Sequence, residues 1–178
     1  MNAPGGLYTA TQDLHHACEA HPVGQRMSAG TVTPQEWADW LAAFRTLHQA
    51  IDPHLPLHLA RVALLDADRA MMLVEHGVMG HEPEAARRFA DGLTTADARL
   101  GAAYVLHGAH RRGGAVLAKT MASLRYATAH VFYPLPAEAE AFVKQLRERA
   151  DLAEPAIATF RALLAVMDEI NKSGETPQ

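Results

Sequence analysis

Near its start the sequence sets a histidine and a glutamate four residues apart, at His15 and Glu19. On a helix this spacing places both side chains on one face, where the carboxylate can hold one ring nitrogen and leave the other free to bind a metal. A buried stripe recurs at helical spacing, with His15 on its edge and His16 facing away: Leu7, Thr11, Leu14 and Cys18. We therefore predict that His15 leans inward, either as a ligand or as a packed, hydrogen-bonded side chain.

A second unusual stretch is residues 100–119, LGAAYVLHGAHRRGGAVLAK. Its ends are typical of an apolar helix, but Gly108, Gly113 and Gly114 interrupt its middle. Each interior glycine destabilises a helix by about 1 kcal/mol relative to alanine. A helix without Cβ atoms can bend and approach a flat surface, so these glycines indicate contact with another helix or with a planar ligand. His107 and His110, three residues apart, either share a ligand or face solvent.

Other kinds of site are poorly supported. The 178 residues carry a formal net charge of −4, and the pI of 6.2 gives no electrostatic reason to bind nucleic acid or an anionic membrane. The sequence lacks the motifs of zinc hydrolases, di-iron carboxylate proteins, serine hydrolases and Walker-type nucleotide sites. Cys18 is the one cysteine, no apolar run approaches the roughly 20 residues of a membrane span, and the N-terminus lacks a signal pattern. We expect a soluble, cytoplasmic protein.

The chain reads as a single all-α domain over residues 1–178, a bundle of about seven or eight helices. Capping residues and prolines mark helix starts, as at Thr33-Pro34 followed by Glu36, whereas Pro22 and Gly24 are expected to end the first helix. No sustained alternation of apolar and polar residues indicates strands. The predicted helices cover about residues 9–21, 34–49, 57–75, 83–91, 96–119, 123–130, 136–150 and 155–171. Residues 172–178 are predicted to be a disordered tail.

Several segments resemble heme oxygenases. Thr11, His15 and Glu19 match the Thr-x-x-x-His-x-x-x-Glu pattern of the first helix in that family. Residues 100–117 resemble the distal helix of its bacterial, biliverdin-producing members. Weaker likeness is spread over most of the chain, at Gly30 to Thr33 with Trp37 and Leu41, at Arg61, Leu65 and Asp68, and at Ala158 to Phe160.

The resemblance implies a heme oxygenase-like fold and a defined chemistry. In this family heme is both cofactor and substrate, and it is held between the first helix and the glycine-bearing helix. By this likeness His15 is the axial iron ligand, and Gly108, Gly113 and Gly114 form the distal wall beside bound oxygen. With electrons from an external donor, a reductase or a ferredoxin, the ring opens to biliverdin with release of carbon monoxide and ferrous iron.

The propionates of heme are anionic, and the sequence offers several basic or phenolic side chains to meet them without choosing among them. A surface or core role is the alternative for each. The candidates are Tyr104, Tyr126 with the neighbouring Arg125, and Arg161.

The chain departs from the family pattern at the distal glycines. The family spacing is Gly-x-x-x-Gly-Gly, whereas four residues separate Gly108 from Gly113 here. Either the extra residue bulges the helix after Gly108, or Ala109 takes the first glycine position, one turn before Gly113. Bacterial members commonly have glutamate at the position of His107. The other side chains that could enter the distal pocket are His110, Arg111 and Arg112.

Three functions are therefore open. The first is a heme oxygenase. The second is a protein of the same fold that binds heme or another tetrapyrrole without degrading it. The third is a heme-free protein of this fold.

Overall fold

Helices make up the regular structure of the described chain. The computed structural model describes residues 6–174, apart from the side chain of Arg112, and this part contains no strand. The predicted all-α fold is confirmed. The helices are α1 (Gly6–Ala20), α2 (Pro22–Ala29), α3 (Pro34–Ile51), α4 (Val62–His76), α5 (Glu84–Gly92), α6 (Ala96–Arg112), α7 (Gly114–Ser123), α8 (Pro136–Arg147) and α9 (Ala153–Gly174). Short 3₁₀ turns cover Asp52–His54, Leu57–Leu59, Ala129–Val131 and Ala150–Leu152.

The capping pattern at residue 33 sets the start of α3, as predicted. The Thr33 hydroxyl accepts a hydrogen bond from the Glu36 amide at 3.2 Å, and the Glu36 carboxylate accepts one from the Thr33 amide at 2.8 Å. This reciprocal pair satisfies amides that the first turn leaves without helical partners. At the far end of α4, Gly77 has a φ of +69°, a left-handed conformation that ends the helix.

The structure has an additional helix, α2, where Pro22 and Gly24 were expected to end α1. Pro22 instead occupies the first turn of α2, and the ring of His21 caps this helix by accepting a hydrogen bond from the Val23 amide at 3.2 Å. A Cβ atom at Gly24 would lie 2.3 Å from the carbonyl oxygen of Cys18. Gly24 therefore permits the sharp turn between two helices rather than ending one.

The start of α4 also differs from the prediction, because α4 begins at Val62 and not near residue 57. The Asp52 carboxylate accepts hydrogen bonds from the amides of Arg61 and Val62 at 2.6 and 2.9 Å. It thus caps α4 from nine and ten residues away, a distance at which local sequence patterns give no signal.

Three further boundaries differ from the predicted ones. The glycine-bearing helix divides into α6 and α7 at Gly113, and the helix expected over residues 123–130 is reduced to the turn Ala129–Val131. The last helix, α9, continues to Gly174, which packs beside the Glu36 carboxylate. The prediction that residues 172–174 are disordered is wrong, and residues 175–178 lie outside the described part.

The other helices are arranged around α9. Helices α1, α5 and α6 pack along it, and α3 contacts it as well. Trp37 and Phe44 of α3 are buried, whereas Trp40 is half-buried and its ring packs against that of Phe44, with 4.5 Å between the centroids. The Trp37 indole N–H donates to the Ala127 carbonyl at 3.1 Å. Helix α9 therefore supports both α1, with His15, and α6, with the glycine segment.

Candidate functional site

His15 lies on the exposed side of α1, next to α9. Its side chain keeps 54% of its surface in solvent, and its Nδ1 is 3.5 Å from Glu19 Oε1. The ring meets that of Phe160 on α9 edge to face, with 6.1 Å between the centroids. The inward lean predicted for His15 is limited to this ring contact, because more than half of the side chain stays exposed. His16 is exposed, as expected, and the predicted stripe is present, with Leu7 and Thr11 buried and Leu14 and Cys18 half-buried.

The described side chains leave the surface of α6 bare around Gly108. A Cβ atom added at Gly108 would meet no described atom within 4 Å, and both Ala109 and Gly113 are exposed. Gly114 differs, because a Cβ atom there would lie 3.0 Å from the Cβ of Val131. Close packing of α7 on the 129–131 turn therefore accounts for Gly114, whereas nothing in the fold requires a glycine at position 108.

The extra residue in the glycine segment does not bulge α6. The helix is regular up to Arg112, and the Gly113 amide donates to the Ala109 carbonyl at 3.0 Å. Gly113 itself has a helical φ of −80° and ψ of −34°. Of the two registers open to the sequence, the structure favours the one in which Ala109 lies one turn before Gly113 on the same exposed face.

His107 and His110 lie on the opposite side of α6, where both are buried. Of the two alternatives left open for this pair, exposure to solvent is therefore wrong. Neither His110 nor Arg111 reaches the bare surface around Gly108. His110 points towards α3, and the Arg111 guanidinium binds the Glu140 carboxylate at 2.8 Å and the Pro136 carbonyl at 2.7 Å. The Arg112 side chain lies outside the described part.

Asp52, His48 and His110 form a hydrogen-bonded chain in the core. Asp52 Oδ1 lies 2.9 Å from His48 Nδ1, and His48 Nε2 lies 3.0 Å from His110 Nε2. A carboxylate oxygen only accepts hydrogen bonds, so Nδ1 of His48 is the donor to Asp52 and carries the proton of that ring. His48 Nε2 therefore accepts a hydrogen bond from the N–H of His110 Nε2. The chain thus fixes the tautomers of two imidazoles and ties α6 to α3.

A second carboxylate holds His130 on the other side of His110. Asp68 accepts hydrogen bonds from the Ala129 amide, the His130 amide and His130 Nδ1, at 2.8, 2.9 and 2.6 Å. The rings of His110 and His130 meet edge to face, 5.1 Å apart between centroids. Asp66 is exposed and bound to Arg45, so Asp66 and Asp68 lie on different sides of α4.

Arg61 and Tyr133 complete this buried cluster. The Arg61 guanidinium donates to the carbonyls of His58, Leu59 and Phe132 at 2.7, 3.0 and 2.7 Å. Its Cζ lies 4.1 Å from the centroid of the Tyr133 ring, a cation–π contact. The Tyr133 hydroxyl lies 2.6 Å from His107 Nδ1, whereas His107 Nε2 is buried and makes no hydrogen bond to any described residue.

Burial sets the charge of these rings. Loss of water contact lowers the pKa of His48, an effect that the Asp52 carboxylate opposes, and it lowers the pKa values of His107 and His110 well below their usual range. Burial likewise raises the pKa of the Tyr133 hydroxyl. His107 and His110 are therefore neutral at pH 7. In residues 6–174, no three His, Cys, Asp or Glu side chains are grouped so that they could hold a metal ion.

The residues considered for the propionates have different surroundings. Tyr104 and Tyr126 are buried, and the Tyr126 hydroxyl donates to the Val32 carbonyl at 3.1 Å. Arg125 is bound to Glu75 at 2.6 Å. Arg161 is exposed on α9, directly after Phe160, which contacts His15. Arg161 is thus an exposed cation on the helix that packs against α1.

Two cavities lie away from His15 and the glycine segment. One of about 210 Å³ is bounded by α5, α6 and α9, and one of about 140 Å³ lies near Asp39 and Glu169. Both are smaller than the roughly 300 Å³ at which pockets for drug-sized ligands begin. Neither cavity is therefore large enough for a tetrapyrrole.

Sequence reasoning missed most of the buried cluster. His48 continues the inward stripe of α3 formed by Trp37, Leu41 and Phe44, and Asp52 follows it by one turn. The sequence signal that identifies His48 is a histidine on an apolar stripe with a carboxylate four residues later. The partner on α6 is 62 residues away, so no local pattern identifies it.

No protein-family model matches the sequence, and no curated protein matches it. The three-dimensional structure, in contrast, is similar to bacterial heme oxygenases, and the chain has a heme oxygenase-like fold. Heme oxygenase-1 of the cyanobacterium Synechocystis sp., solved in complex with heme, is 16% identical with a TM-score of 0.73, over 93% of this chain and 89% of that one. The heme oxygenase of Leptospira interrogans is 17% identical with a TM-score of 0.73, over 92% of this chain and 97% of that one. Across residues 6–174 no helix is long and apolar enough to cross a membrane.

Proposed function

We propose that this chain is a heme oxygenase that opens the heme ring to biliverdin, with release of carbon monoxide and ferrous iron. The observation that carries the proposal is the shared fold, which covers more than nine-tenths of this chain. In this chain the first helix carries His15. Heme is the substrate, and when bound it supplies the iron centre at which molecular oxygen reacts. Electrons come from an external reductase or ferredoxin.

The residues present fit heme in three respects. The His15 ring is accessible, and its Nδ1 faces the Glu19 carboxylate, so Nε2 is the nitrogen free to bind iron. The described side chains on the α6 surface around Gly108, Ala109 and Gly113 are no larger than a methyl group. Arg161 is an exposed cation on α9, the helix that packs against α1, and is our candidate to bind a propionate.

Each of these residues has a separate task. The Glu19 carboxylate, 3.5 Å from His15 Nδ1, orients the ring so that Nε2 is the nitrogen turned towards the iron. Gly108 and Gly113 leave room for oxygen against the helix backbone. The buried histidine cluster fixes α6 on α3, so that this bare surface keeps its position.

A hemin titration tests the proposal, followed by a reductant under air and recorded by absorption. The native protein should show a saturable Soret band that gives way to biliverdin absorption. His15→Ala should lose the axial ligand and bind hemin at least about tenfold more weakly. His16→Ala is the matched control, because it removes the neighbouring exposed imidazole on the other side of α1. Equal loss in both variants would reject His15 as the ligand, and no Soret band in the native protein would leave a heme-free protein of this fold.

One observation favours binding without turnover as the second candidate. The Ala109 methyl group lies on the exposed face of α6 one turn before Gly113, where the family resemblance places a glycine. A methyl group there narrows the space for oxygen over the ring. If this candidate is right, the native complex is stable to reductant and air, and Ala109→Gly gains turnover. If the native protein degrades heme, Ala109→Gly should change the rate without being required for it.

A further inference from the structure

The two halves of α6 are held in the fold in different ways. Residues 101–106 are buried, and a Cβ atom at Gly101 would lie 2.3 Å from the Cβ of Pro155 on α9, so close apolar packing fixes the first half. The second half carries Gly108 and Ala109, and side-chain hydrogen bonds tie it to its neighbours. These bonds are made by His107, His110 and Arg111. The position of the bare surface therefore depends on polar contacts, and two of the three come from imidazoles.

Four imidazole rings are packed together behind this second half of α6. Each of them is at most 4% exposed: His48, His107, His110 and His130. The centroid of the His48 ring lies 5.2 Å from those of His107 and His110, and the centroid of His110 lies 5.1 Å from that of His130. Positive charges on neighbouring rings at this distance would repel each other strongly in a buried environment. The rings can be packed this closely only while most of them are neutral.

Charged and titratable groups face these rings from the elements packed against this side of α6. Two buried carboxylates and one guanidinium are among them, so the cluster has one net negative charge when its four rings are neutral. It can take up one proton with charge balance, whereas a second proton leaves it positive in a region of low dielectric constant. The groups are Asp52 after α3, Arg61 and Asp68 at the start and in the middle of α4, His58 and Tyr133 in the adjoining turns, and Glu138 of α8, whose carboxylate lies 3.6 Å from His58 Nε2.

The 3.0 Å hydrogen bond between His48 and His110 responds directly to protons. It needs one Nε2 atom that carries a proton and one that does not. If one proton is added to His48, the bond persists only when His110 moves its own proton to Nδ1. If both rings are protonated, both Nε2 atoms are donors and neither can accept. Proton uptake by the pair therefore replaces an attraction between α3 and α6 by a repulsion.

We propose that His48 and His110 are an acid-sensitive latch, which releases the second half of α6 from α3 when the buried cluster takes up protons. Gly108 and Gly113 favour a local release, because glycine has a low helix propensity and both lie in or next to this half. Release would move the bare surface around Gly108. For the proposed function, on which this one consequence rests, heme would bind more weakly at mildly acidic pH.

The direction of the pH dependence follows from burial. In the latched state, burial holds the pKa values of His48 and His110 below their usual range. In the released state the rings meet water and regain a pKa of about 6.5. The latched state is therefore fully stable above about pH 6.5 and loses stability as the pH falls below it. Each ring that becomes exposed shifts the equilibrium about tenfold towards release by about pH 5.5.

Hydrogen–deuterium exchange of the heme-free protein between about pH 7.5 and 5.5 tests the latch. After correction for the intrinsic pH dependence of exchange, amides 107–112 should lose protection at least about tenfold, and amides 163–170 of α9 much less. His110→Gln should keep its protection at pH 7.5 and lose most of the pH dependence, because its amide nitrogen can donate to His48 Nε2 but does not titrate. His16→Gln is the matched control, since it makes the same change at an exposed ring, and it should behave as the native protein does.

Nitrogen NMR of the imidazoles tests the latch without any substitution, so a His110→Gln protein that does not fold leaves the inference testable. At pH 7.5, Nε2 should be unprotonated in His48 and protonated in His110. Both rings should become imidazolium as the protection of amides 107–112 is lost. Neutral rings and unchanged protection at pH 5.5 would overturn the latch. An equal loss of protection in α9 would also overturn it, because the whole fold would then be opening.

Hemin affinity at the two pH values tests the consequence for the proposed function. The axial ligand His15 is the same in the native protein and in His110→Gln, so a difference between their pH dependences reports on the latch. The affinity of the native protein should fall about tenfold more than that of His110→Gln. Equal falls would overturn the link to heme. A native protein that binds no hemin would reject the proposed function, whereas the exchange and NMR experiments would still decide on the latch.

Discussion

His48 Nε2 and His110 Nε2 lie 3.0 Å apart in the core and join α3 to α6 through one hydrogen bond. Because Asp52 holds the other nitrogen of His48, the two rings adopt complementary tautomers, with His48 accepting and His110 donating. Both rings are buried, so neither can exchange its partner for water without opening the fold. The glycine-bearing surface of α6 is therefore positioned by a polar contact that depends on protonation.

The energetic coupling of these two rings is measurable. Replacing either His48 or His110 by leucine removes one partner and leaves a buried nitrogen unsatisfied, which should lower the free energy of unfolding by about 1–3 kcal/mol. The double variant removes both and should cost less than the sum of the single changes. We expect a coupling of about 1 kcal/mol or more from a double-mutant cycle in urea. Additive losses would show that the 3.0 Å contact contributes nothing.

Acid should unfold the protein because the buried rings are neutral. The pKa values of His48, His107 and His110 are lowered in the folded state, so the unfolded chain takes up protons that the folded chain does not. Stability from this source is fully present above the unfolded pKa of about 6.5 and is lost as the pH falls below it. Each histidine contributes a slope of at most about 1.4 kcal/mol per pH unit.

Urea denaturation between pH 7.5 and 5 measures this slope. His110→Leu should reduce it by up to about 1.4 kcal/mol per pH unit, because one proton-uptake site is removed from the cluster. His16→Ala removes an exposed ring outside the cluster and serves as the control. If the free energy of unfolding does not change over this pH range, the rings are not held neutral by burial.

The guanidinium of Arg61 should not be replaceable by an ammonium group. Its three hydrogen bonds reach carbonyls in two separate segments, residues 58–59 and residue 132, while its plane stacks on Tyr133. Lysine carries the charge but lacks the fork and the flat surface. We expect Arg61→Lys to lower the free energy of unfolding by about 2 kcal/mol or more, comparable with Arg61→Ala. Full rescue by lysine in thermal unfolding would mean that charge alone matters.

Much of the fold could be predicted from the sequence because its signals are local. The start of α3 is set by contacts among Thr33, Pro34 and Glu36, and the end of α4 by Gly77. The start of α4 could not be predicted in this way, because Asp52 caps it from a preceding turn. The same limit applies to the site, where His15 and the glycines stand in recognisable patterns but the burial of His48 depends on a partner 62 residues away.

The register of the glycine segment is a second feature that the sequence could not determine. The sequence allowed either a bulge after Gly108 or a regular helix with Ala109 one turn before Gly113. The choice depends on whether α6 and α7 can bend at Gly113 while Gly114 stays packed on Val131. That contact involves the turn at residues 129–131, so a pattern within the helix does not determine it.

Two glycines of this segment should respond in opposite ways to substitution by alanine. Gly108 lies in a regular helix with open space where a Cβ would be, so Gly108→Ala should raise the free energy of unfolding by about 0.5–1 kcal/mol. At Gly114 the added methyl would lie 3.0 Å from the Val131 side chain, and Gly114→Ala should lower it by about 1–3 kcal/mol.

Hemin binding distinguishes an effect of these substitutions on function from their effect on stability. If the bare face of α6 meets heme, Gly108→Ala should weaken hemin binding or slow turnover although the protein is more stable, because its methyl enters the space above the ring. Val131→Ala should partly restore the stability of Gly114→Ala by making room for the new methyl group, and it serves as the control for packing. A Gly108→Ala protein that is more stable and binds and degrades heme as the native protein does would place the substrate elsewhere on the fold.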